Sequence, residues 1–161
     1  MLSRKVWTVI LLALAAVAVA AVISACGSGA SASTADVQFI APQDFKVSDY
    51  AGKPLVFNFF GSWCVPSNME APELATFSDS KAGQAAFVGI ATNDKEGDVV
   101  DFMSKYGLKY PVVLDDNSLS SAVGLNGVPT TIFYNASGKE VDRIVGAATV
   151  DQFNASYAKT Q

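Results

Sequence analysis

A single cysteine in a turn that also contains tryptophan and proline is the residue of this chain best suited to covalent chemistry. The segment runs Trp63-Cys64-Val65-Pro66-Ser67. A cysteine thiolate is a strong nucleophile that attacks disulfide bonds, and a second cysteine three positions later can then release the product. Here that later position is Ser67. The segment therefore keeps the attacking sulfur and lacks the internal thiol that would finish the reaction.

The cysteine and histidine counts restrict the reactions open to the chain. It contains two cysteines, Cys26 and Cys64, and no histidine. Without histidine, Ser-His-Asp and Cys-His catalysis are excluded, and the scarcity of nitrogen and sulfur ligands argues against a zinc or copper site. We therefore predict that the protein uses no metal and no other cofactor.

The elements that must position Cys64 can be read from the pattern around it. Leu55 to Phe60 is an apolar run with Asn58 as its one polar residue, as expected of a central strand that is buried on both faces. A helix is predicted from Val65 to Phe77, with Pro66 in its first turn and a kink at Pro72. Cys64 would then lie at the N-terminus of a helix, where unpaired N–H groups favour a thiolate.

The rest of the chain alternates between strand and helix patterns. Strands are predicted at 37–39, 45–47, 86–91, 111–114, 130–134 and 140–145, and helices at 96–106, 119–123 and 150–158. Gly107 should end the first of these helices, and Asn135 to Lys139 should form a hairpin turn. This order predicts an α/β three-layer sandwich with a mixed central sheet.

The N-terminal 25 residues have the composition of an export signal. Arg4 and Lys5 precede an apolar segment from Val6 to Ile23. Residues 1–25 are predicted to be a lipoprotein signal peptide, because the four residues ending at Cys26 resemble a bacterial lipobox, whose cysteine becomes lipidated.

Residues 26–36 are predicted to be a flexible tether and residues 37–161 a single domain. An uncleaved membrane anchor and a cleaved, secreted form are the alternatives, and all three place the domain outside the cytoplasm. Loss of residues 1–25 would leave nine basic and 15 acidic residues. So acidic a domain is a poor candidate for binding nucleic acid or anionic lipid.

Two motifs make the chain similar to the thioredoxin superfamily, and within it to the extracytoplasmic TlpA/ResA-like thiol-disulfide oxidoreductases. The segment from Trp63 to Leu74 resembles that subgroup's Trp-Cys-x-Pro-Cys-x-x-Glu-x-Pro-x-Leu, with serine at the second cysteine position. The segment Gly127 to Thr131 matches its Gly-Val-Pro-Thr-Thr, whose proline is cis. A third feature is the additional helix and strand predicted at 96–114, which lie between the two motifs as they do in this subgroup. The resemblance implies a thioredoxin-like fold.

The resemblance also assigns roles to individual residues. Cys64 would be the nucleophile, and Glu70 would be a half-buried carboxylate that repels the thiolate and shuttles protons. Ser67 departs from the subgroup's cysteine, but its hydroxyl can still donate a hydrogen bond to the Cys64 thiolate. Glu73 is expected to be solvated. Substrate contacts would come from the residues beside Cys64 and from the backbone before the cis proline, namely Trp63, Val65, Pro66, Val128 and Pro129.

Ser67 leaves three hypotheses open. The chain is a natural monothiol enzyme, or it carries an introduced cysteine-to-serine change that traps substrates, or it is a redox-degenerate fold that binds an exported protein or a small ligand. A cysteine peroxidase is disfavoured because such sites need Pro-x-x-x-Thr-x-x-Cys, and this chain has Phe57 and Gly61 at those positions.

The favoured prediction is a lipid-anchored, extracytoplasmic enzyme that exchanges thiols and disulfides through Cys64 alone. Its partners would be exported proteins or small thiols, with no nucleic acid. Its attachment to the membrane would run through the N-terminal lipid, and we expect a monomer.

Overall fold

One mixed sheet of six strands forms the centre of the structure, a computed structural model that describes residues 37–161. The strands are β1 (Phe39–Ile40), β2 (Leu55–Phe60), β3 (Ala86–Thr92), β4 (Val112–Asp115), β5 (Thr130–Tyr134) and β6 (Glu140–Val145). They lie in the order β1-β4-β3-β2-β5-β6. Strands β1 to β4 pair in parallel, whereas β5 is antiparallel to both β2 and β6. The predicted mixed sheet is confirmed.

Within residues 37–161, four α-helices and two short 3-10 helices accompany the strands. The α-helices are α1 (Val65–Ser80), α2 (Glu96–Tyr106), α3 (Ser118–Ala122) and α4 (Val150–Ala158), and the 3-10 helices span Pro42–Asp44 and Val47–Tyr50. Helix α2 and strand β4 are the additional helix and strand that were predicted between the two motifs. Gly107 ends α2 in the left-handed conformation, with φ of 68°, as its position predicted.

Each face of the sheet has its own hydrophobic core. Helices α1, α2 and α4 cover one face, where Phe77 contacts the aromatic rings of Phe133 and Phe153. The other face is covered by the 3-10 helices and by the segment 119–128, around a cluster that includes Phe57 and Ile90. The arrangement is a three-layer sandwich with one thin outer layer.

Strand β2 runs through the middle of this sandwich. All six of its residues are buried, and it pairs with β3 on one side and β5 on the other. The run from Leu55 to Phe60, which is apolar except for Asn58, therefore gave the correct prediction, since both faces of a central strand are mostly apolar. Because β2 leads directly into the turn before α1, its position determines where Cys64 lies.

Two local predictions were wrong. The segment 45–47 was expected to be an edge strand, but Phe45 and Lys46 join the two 3-10 helices and Val47 begins the second one. Its apolar pattern arises because Phe45 is buried under the sheet, where its ring packs against Phe57, and not because it pairs with a strand. Helix α1 ends at Ser80, beyond the predicted end at Phe77, and it is continuous through Pro72.

The predicted signal peptide, tether and lipidated Cys26 lie outside the described residues. Within residues 37–161, no helix has the length and apolar character needed to cross a membrane.

Candidate active site

Cys64 lies where three strand ends meet. It follows the carboxyl end of β2, next to the carboxyl end of β3, and β5 begins at the same edge because it runs antiparallel to β2. The carboxyl edge of the parallel strands is where open α/β sheets commonly place their sites. This topology brings Val128 and Pro129 beside Cys64, although they are more than 60 positions away in the sequence.

The Cys64 thiol occupies the N-cap position of α1. Its Sγ donates a hydrogen bond to the carbonyl oxygen of Val128 at 3.4 Å, and the residue is only 8% exposed. The following peptide bond, Val128–Pro129, is cis, as the resemblance implied. The N-cap position agrees with the prediction, but the side chain makes no capping hydrogen bond to the helix amides. The S–H group of Cys64 thus has a hydrogen-bond acceptor in the loop before β5.

Ser67 does not bond to Cys64, which contradicts the expected hydrogen bond. Its Oγ accepts a hydrogen bond from the backbone N–H of Gly61 at 3.4 Å, and the side chain is buried. The hydroxyl is turned toward the end of β2, whereas the Cys64 sulfur is turned toward Val128. In this arrangement, Ser67 ties the start of α1 to the end of β2.

Glu70 is fully buried, which corrects the expectation of half burial. Its Oε1 accepts a hydrogen bond from Asn58 Nδ2 at 2.8 Å, and its Oε2 accepts one from the backbone N–H of Ala148 at 3.0 Å. Burial raises the pKa of Glu70 to about 7, and these two hydrogen bonds only partly oppose the rise. A carboxyl group with this pKa can hold or release a proton near neutral pH.

A three-residue spacing places Cys64, Ser67 and Glu70 along one buried face of the N-terminal half of α1. Glu70 follows Cys64 by six residues, which corresponds to a rise of about 9 Å along an α-helix. Ser67 therefore lies between the nucleophile and the buried carboxyl. Glu73, expected to be solvated, is half-buried and accepts a hydrogen bond from the backbone N–H of Val150 at 3.0 Å.

Two polar side chains hold the turn before Cys64. Asp94 accepts hydrogen bonds from the backbone N–H and the hydroxyl of Ser62 at 2.6 and 2.7 Å. Asn68 donates to the carbonyls of Ser62 and Cys64 at 2.8 and 3.0 Å, and it accepts from the Tyr106 hydroxyl at 2.8 Å. Helix α2 therefore supports the turn that carries Cys64 through the hydrogen bond from Tyr106 to Asn68.

Trp63 packs against Gly61, just after the end of β2, and is still largely exposed. Its Nε1 donates to the carbonyl of Thr92 at 3.2 Å, and 59% of the residue is exposed. The indole lies so close to Gly61 that a Cβ there would be 2.6 Å from Trp63 Cε2. Glycine at position 61 is therefore required by this close approach, and not by its backbone angles.

The predicted substrate contacts differ in exposure. Val65 and Pro66 are exposed, Val128 is half-buried, and Pro129 is buried. Met69, which sequence reasoning missed, is 70% exposed and lies one turn after Val65 on α1. The two sequence neighbours of Cys64, Trp63 and Val65, thus expose apolar side chains, which suits contact with another molecule.

Sequence reasoning also missed the polar supports Asn58, Asn68 and Asp94. Asn58 had a signal, because an amide inside an apolar central strand must find a buried partner. It lies opposite Thr131 in the sheet and donates to that hydroxyl at 3.0 Å. Asp94, just beyond the end of β3, could have been suspected from the carboxyl-edge rule.

Both the sequence and the fold of this chain match known proteins. Residues 19–160 match the Redoxin family. The chain belongs to the Redoxin family. The match covers most of the sequence, including every residue of the site described above.

Curated relatives of this Redoxin chain are ResA proteins, which are described as thiol-disulfide oxidoreductases. The chain is 34% identical over 106 residues to ResA of Bacillus subtilis, a match that covers 65% of this chain and 59% of that protein. It is 28% identical over 116 residues to ResA of Bacillus anthracis, covering 71% of this chain and 67% of that protein. The chain therefore spans about three fifths to two thirds of these relatives.

Solved structures agree with these matches. A secreted disulfide oxidoreductase of Mycobacterium tuberculosis, described as homologous to E. coli DsbE, is 29% identical with a TM-score of 0.65, over 71% of this chain and 87% of that one. A thiol:disulfide interchange protein of Chlorobium tepidum is 30% identical with a TM-score of 0.64, over 71% and 83%. The predicted resemblance to TlpA/ResA-like proteins and the thioredoxin-like fold are confirmed.

Proposed function

We propose that this Redoxin protein exchanges thiols and disulfides through Cys64 alone. The observation that carries the proposal is the placement of Cys64 at the N-cap of α1, with its sulfur against the Val128 carbonyl and the cis Val128–Pro129 bond. The curated relatives are described as thiol-disulfide oxidoreductases. Cys64 is the free cysteine of the described residues.

The proposed reaction is a single exchange step. The Cys64 thiolate attacks one sulfur of a substrate disulfide, a mixed disulfide forms at Cys64, and the other substrate sulfur leaves as a thiolate. Ser67 has no sulfur with which to displace the bound substrate. The mixed disulfide therefore persists until an external thiol, or a second cysteine of the substrate, attacks it.

Glu70 is the proposed proton store for this step. The Cys64 thiol must lose its proton before attack, and the departing thiolate must gain one. Glu70, with a pKa of about 7, can exist in either state near neutral pH.

The proposed location is the extracytoplasmic face of the membrane, with lipid on Cys26. The lipobox-like residues before Cys26 support it, as does the description of the Mycobacterium tuberculosis neighbour as secreted. Exported proteins and small thiols are the proposed substrates. Metabolic labelling with a fatty acid tests the anchor, because a Cys26→Ser variant should lose both the label and the membrane fraction.

Trapping of the mixed disulfide tests the proposed reaction. The full-length protein is incubated with a peptide disulfide and digested under non-reducing conditions, and its peptides are identified by mass spectrometry. We expect an adduct at Cys64 that survives until a thiol is added, and none in a Cys64→Ser variant. A free Cys64 thiol, accompanied by a stoichiometric non-covalent partner after isolation from cells, would instead support the binding-module hypothesis.

A further inference from the structure

The chain contains one Asn-Gly pair, Asn126-Gly127, and it lies immediately before the cis Val128–Pro129 bond of the site. Asparagine is a chemically labile residue, because the backbone nitrogen of the next residue can attack its side-chain carbonyl carbon. Glycine as the next residue favours this attack, since it has no Cβ to hinder the approach and its backbone angles are little restricted. The pair is therefore a candidate for spontaneous chemical modification.

The structure leaves both reacting groups of the pair accessible. Asn126 and Gly127 are exposed and lie outside the helices and strands. Among the described residues, Gly127 forms hydrogen bonds through its carbonyl and not through its N–H. A Cβ built on Gly127 would have no atom within 4 Å beyond its chain neighbours. Attack by the Gly127 nitrogen thus breaks no hydrogen bond of that N–H and meets no obstacle from the rest of the fold.

Two other loop asparagines are held against the same reaction. Asn135 Oδ1 accepts hydrogen bonds from the backbone N–H and the hydroxyl of Ser137 at 3.1 and 2.7 Å. After Asn117, the N–H that would attack belongs to Ser118, and it donates to Asp116 Oδ1 at 3.0 Å. A side chain followed by a free glycine N–H therefore distinguishes position 126 from these two loops.

The backbone after the pair is fixed beside the nucleophile. The Gly127 carbonyl accepts a hydrogen bond from Thr130 Oγ1 at 2.8 Å. The next residue, Val128, supplies the carbonyl oxygen that lies 3.4 Å from Cys64 Sγ, and Pro129 after it is buried. A change in backbone length at the pair therefore acts on a short, anchored segment that contacts the sulfur.

From these observations we propose that Asn126 converts spontaneously to isoaspartate and that this conversion slows exchange at Cys64. The Gly127 nitrogen bonds to the side-chain carbonyl carbon of Asn126, the bond from that carbon to the amide nitrogen breaks, and ammonia leaves with the proton of the Gly127 N–H. Water then opens the succinimide ring to give isoaspartate or aspartate. The effect on exchange rests on the proposed function, whereas the modification itself does not.

Isoaspartate changes the site in two ways. It adds one backbone C–C bond, about 1.5 Å long, two residues before the carbonyl that contacts Cys64. A misplacement of about 1 Å at a reacting centre can cost about a hundredfold in rate, so we expect exchange with a peptide disulfide to be at least tenfold slower. The new carboxylate alone, on the order of 10 Å from the sulfur, should slow it about twofold by repelling the thiolate.

Ageing of the full-length protein tests the modification without reference to exchange. Folded protein is incubated at mildly alkaline pH and digested, and mass spectrometry follows the gain of one mass unit at position 126. Enzymatic methylation of isoaspartate separates the two products. We expect conversion at Asn126, none in an Asn126→Gln variant, and an unchanged Asn135 in the same digest. No conversion in the folded protein would overturn the proposal, and urea-unfolded protein shows that the assay detects the product.

Exchange with a peptide disulfide is then measured for fresh and aged protein. The rate of aged wild type should fall in proportion to its isoaspartate content, aged Asn126→Gln should keep its fresh rate, and Asn126→Asp should be about twofold slower than wild type. Equal rates for fresh and aged wild type would overturn the effect on Cys64. If fresh protein formed no adduct at Cys64, the proposed function would fail, while isoaspartate at position 126 would still be measurable.

Discussion

The buried carboxyl of Glu70 should make the protein less stable as the pH rises. Its pKa is about 7 in the folded protein and 4.5 where it is freely solvated. The folded state therefore favours the protonated form. The stability that this form contributes is complete below about pH 4.5 and is lost as the pH rises through 7.

The magnitude follows from the difference between the two pKa values. Each tenfold difference in proton affinity corresponds to about 1.4 kcal/mol, so the full effect is about 3 kcal/mol. About 2.5 kcal/mol of it should be lost between pH 5 and pH 8.5. This is a large part of the 5–15 kcal/mol that is typical of the stability of a domain. The chain has no histidine, so the usual source of titration in this range is missing.

Urea unfolding of the wild type and a Glu70→Gln variant at several pH values measures this effect. The wild type should lose about 2.5 kcal/mol of unfolding free energy relative to the variant as the pH rises from 5 to 8.5. Glu73→Gln is the matched control, because that half-buried carboxyl on the same helix accepts a single backbone hydrogen bond. Parallel pH profiles for the wild type and Glu70→Gln would refute the reasoning and would remove Glu70 as a proton store.

Three further variants test residues of the site and of the core. Ser67→Cys should supply the missing thiol three residues after Cys64, so the lifetime of a mixed disulfide at Cys64 should fall at least tenfold. Non-reducing mass spectrometry measures this lifetime. An unchanged lifetime would contradict the proposal that the mixed disulfide persists because position 67 has no thiol. Asp94→Ala removes both hydrogen-bond acceptors of Ser62, so urea unfolding should show a loss of about 1–3 kcal/mol in unfolding free energy. The rate at which Cys64 is alkylated should change as well. Wild-type values in both assays would exclude a role of Asp94 in supporting the turn. Phe77→Ala empties a fully buried site between aromatic rings and should lower the unfolding free energy by about 3–5 kcal/mol. The adduct at Cys64 should still form at low denaturant. A loss below about 1 kcal/mol would mean that the core repacks.

The comparison of α2 with the 3-10 segment illustrates which elements can be predicted from local patterns. Helix α2 was predicted with the bounds that the structure has, because its apolar residues recur at helical spacing and Gly107 ends it. The segment 45–47 has the same kind of apolar content but no partner strand, and a pattern three residues long cannot distinguish pairing from burial. The eleven residues of α2 are enough to show a helical period of apolar residues. The segment 45–47 is too short to show any period.

For the site, the sequence by itself determined the nucleophile, the helix that follows it and the cis-proline segment, because each is encoded by neighbouring residues. The tertiary structure decided what surrounds them. Glu70 is buried against the N–H of Ala148, 78 positions away, and Ser62 is held by Asp94, 32 positions away. Ser67 turns to Gly61 and the Cys64 sulfur turns to Val128. These partners meet because of the strand order and the antiparallel β5, and a local pattern carries no information about which distant segments a sheet brings together.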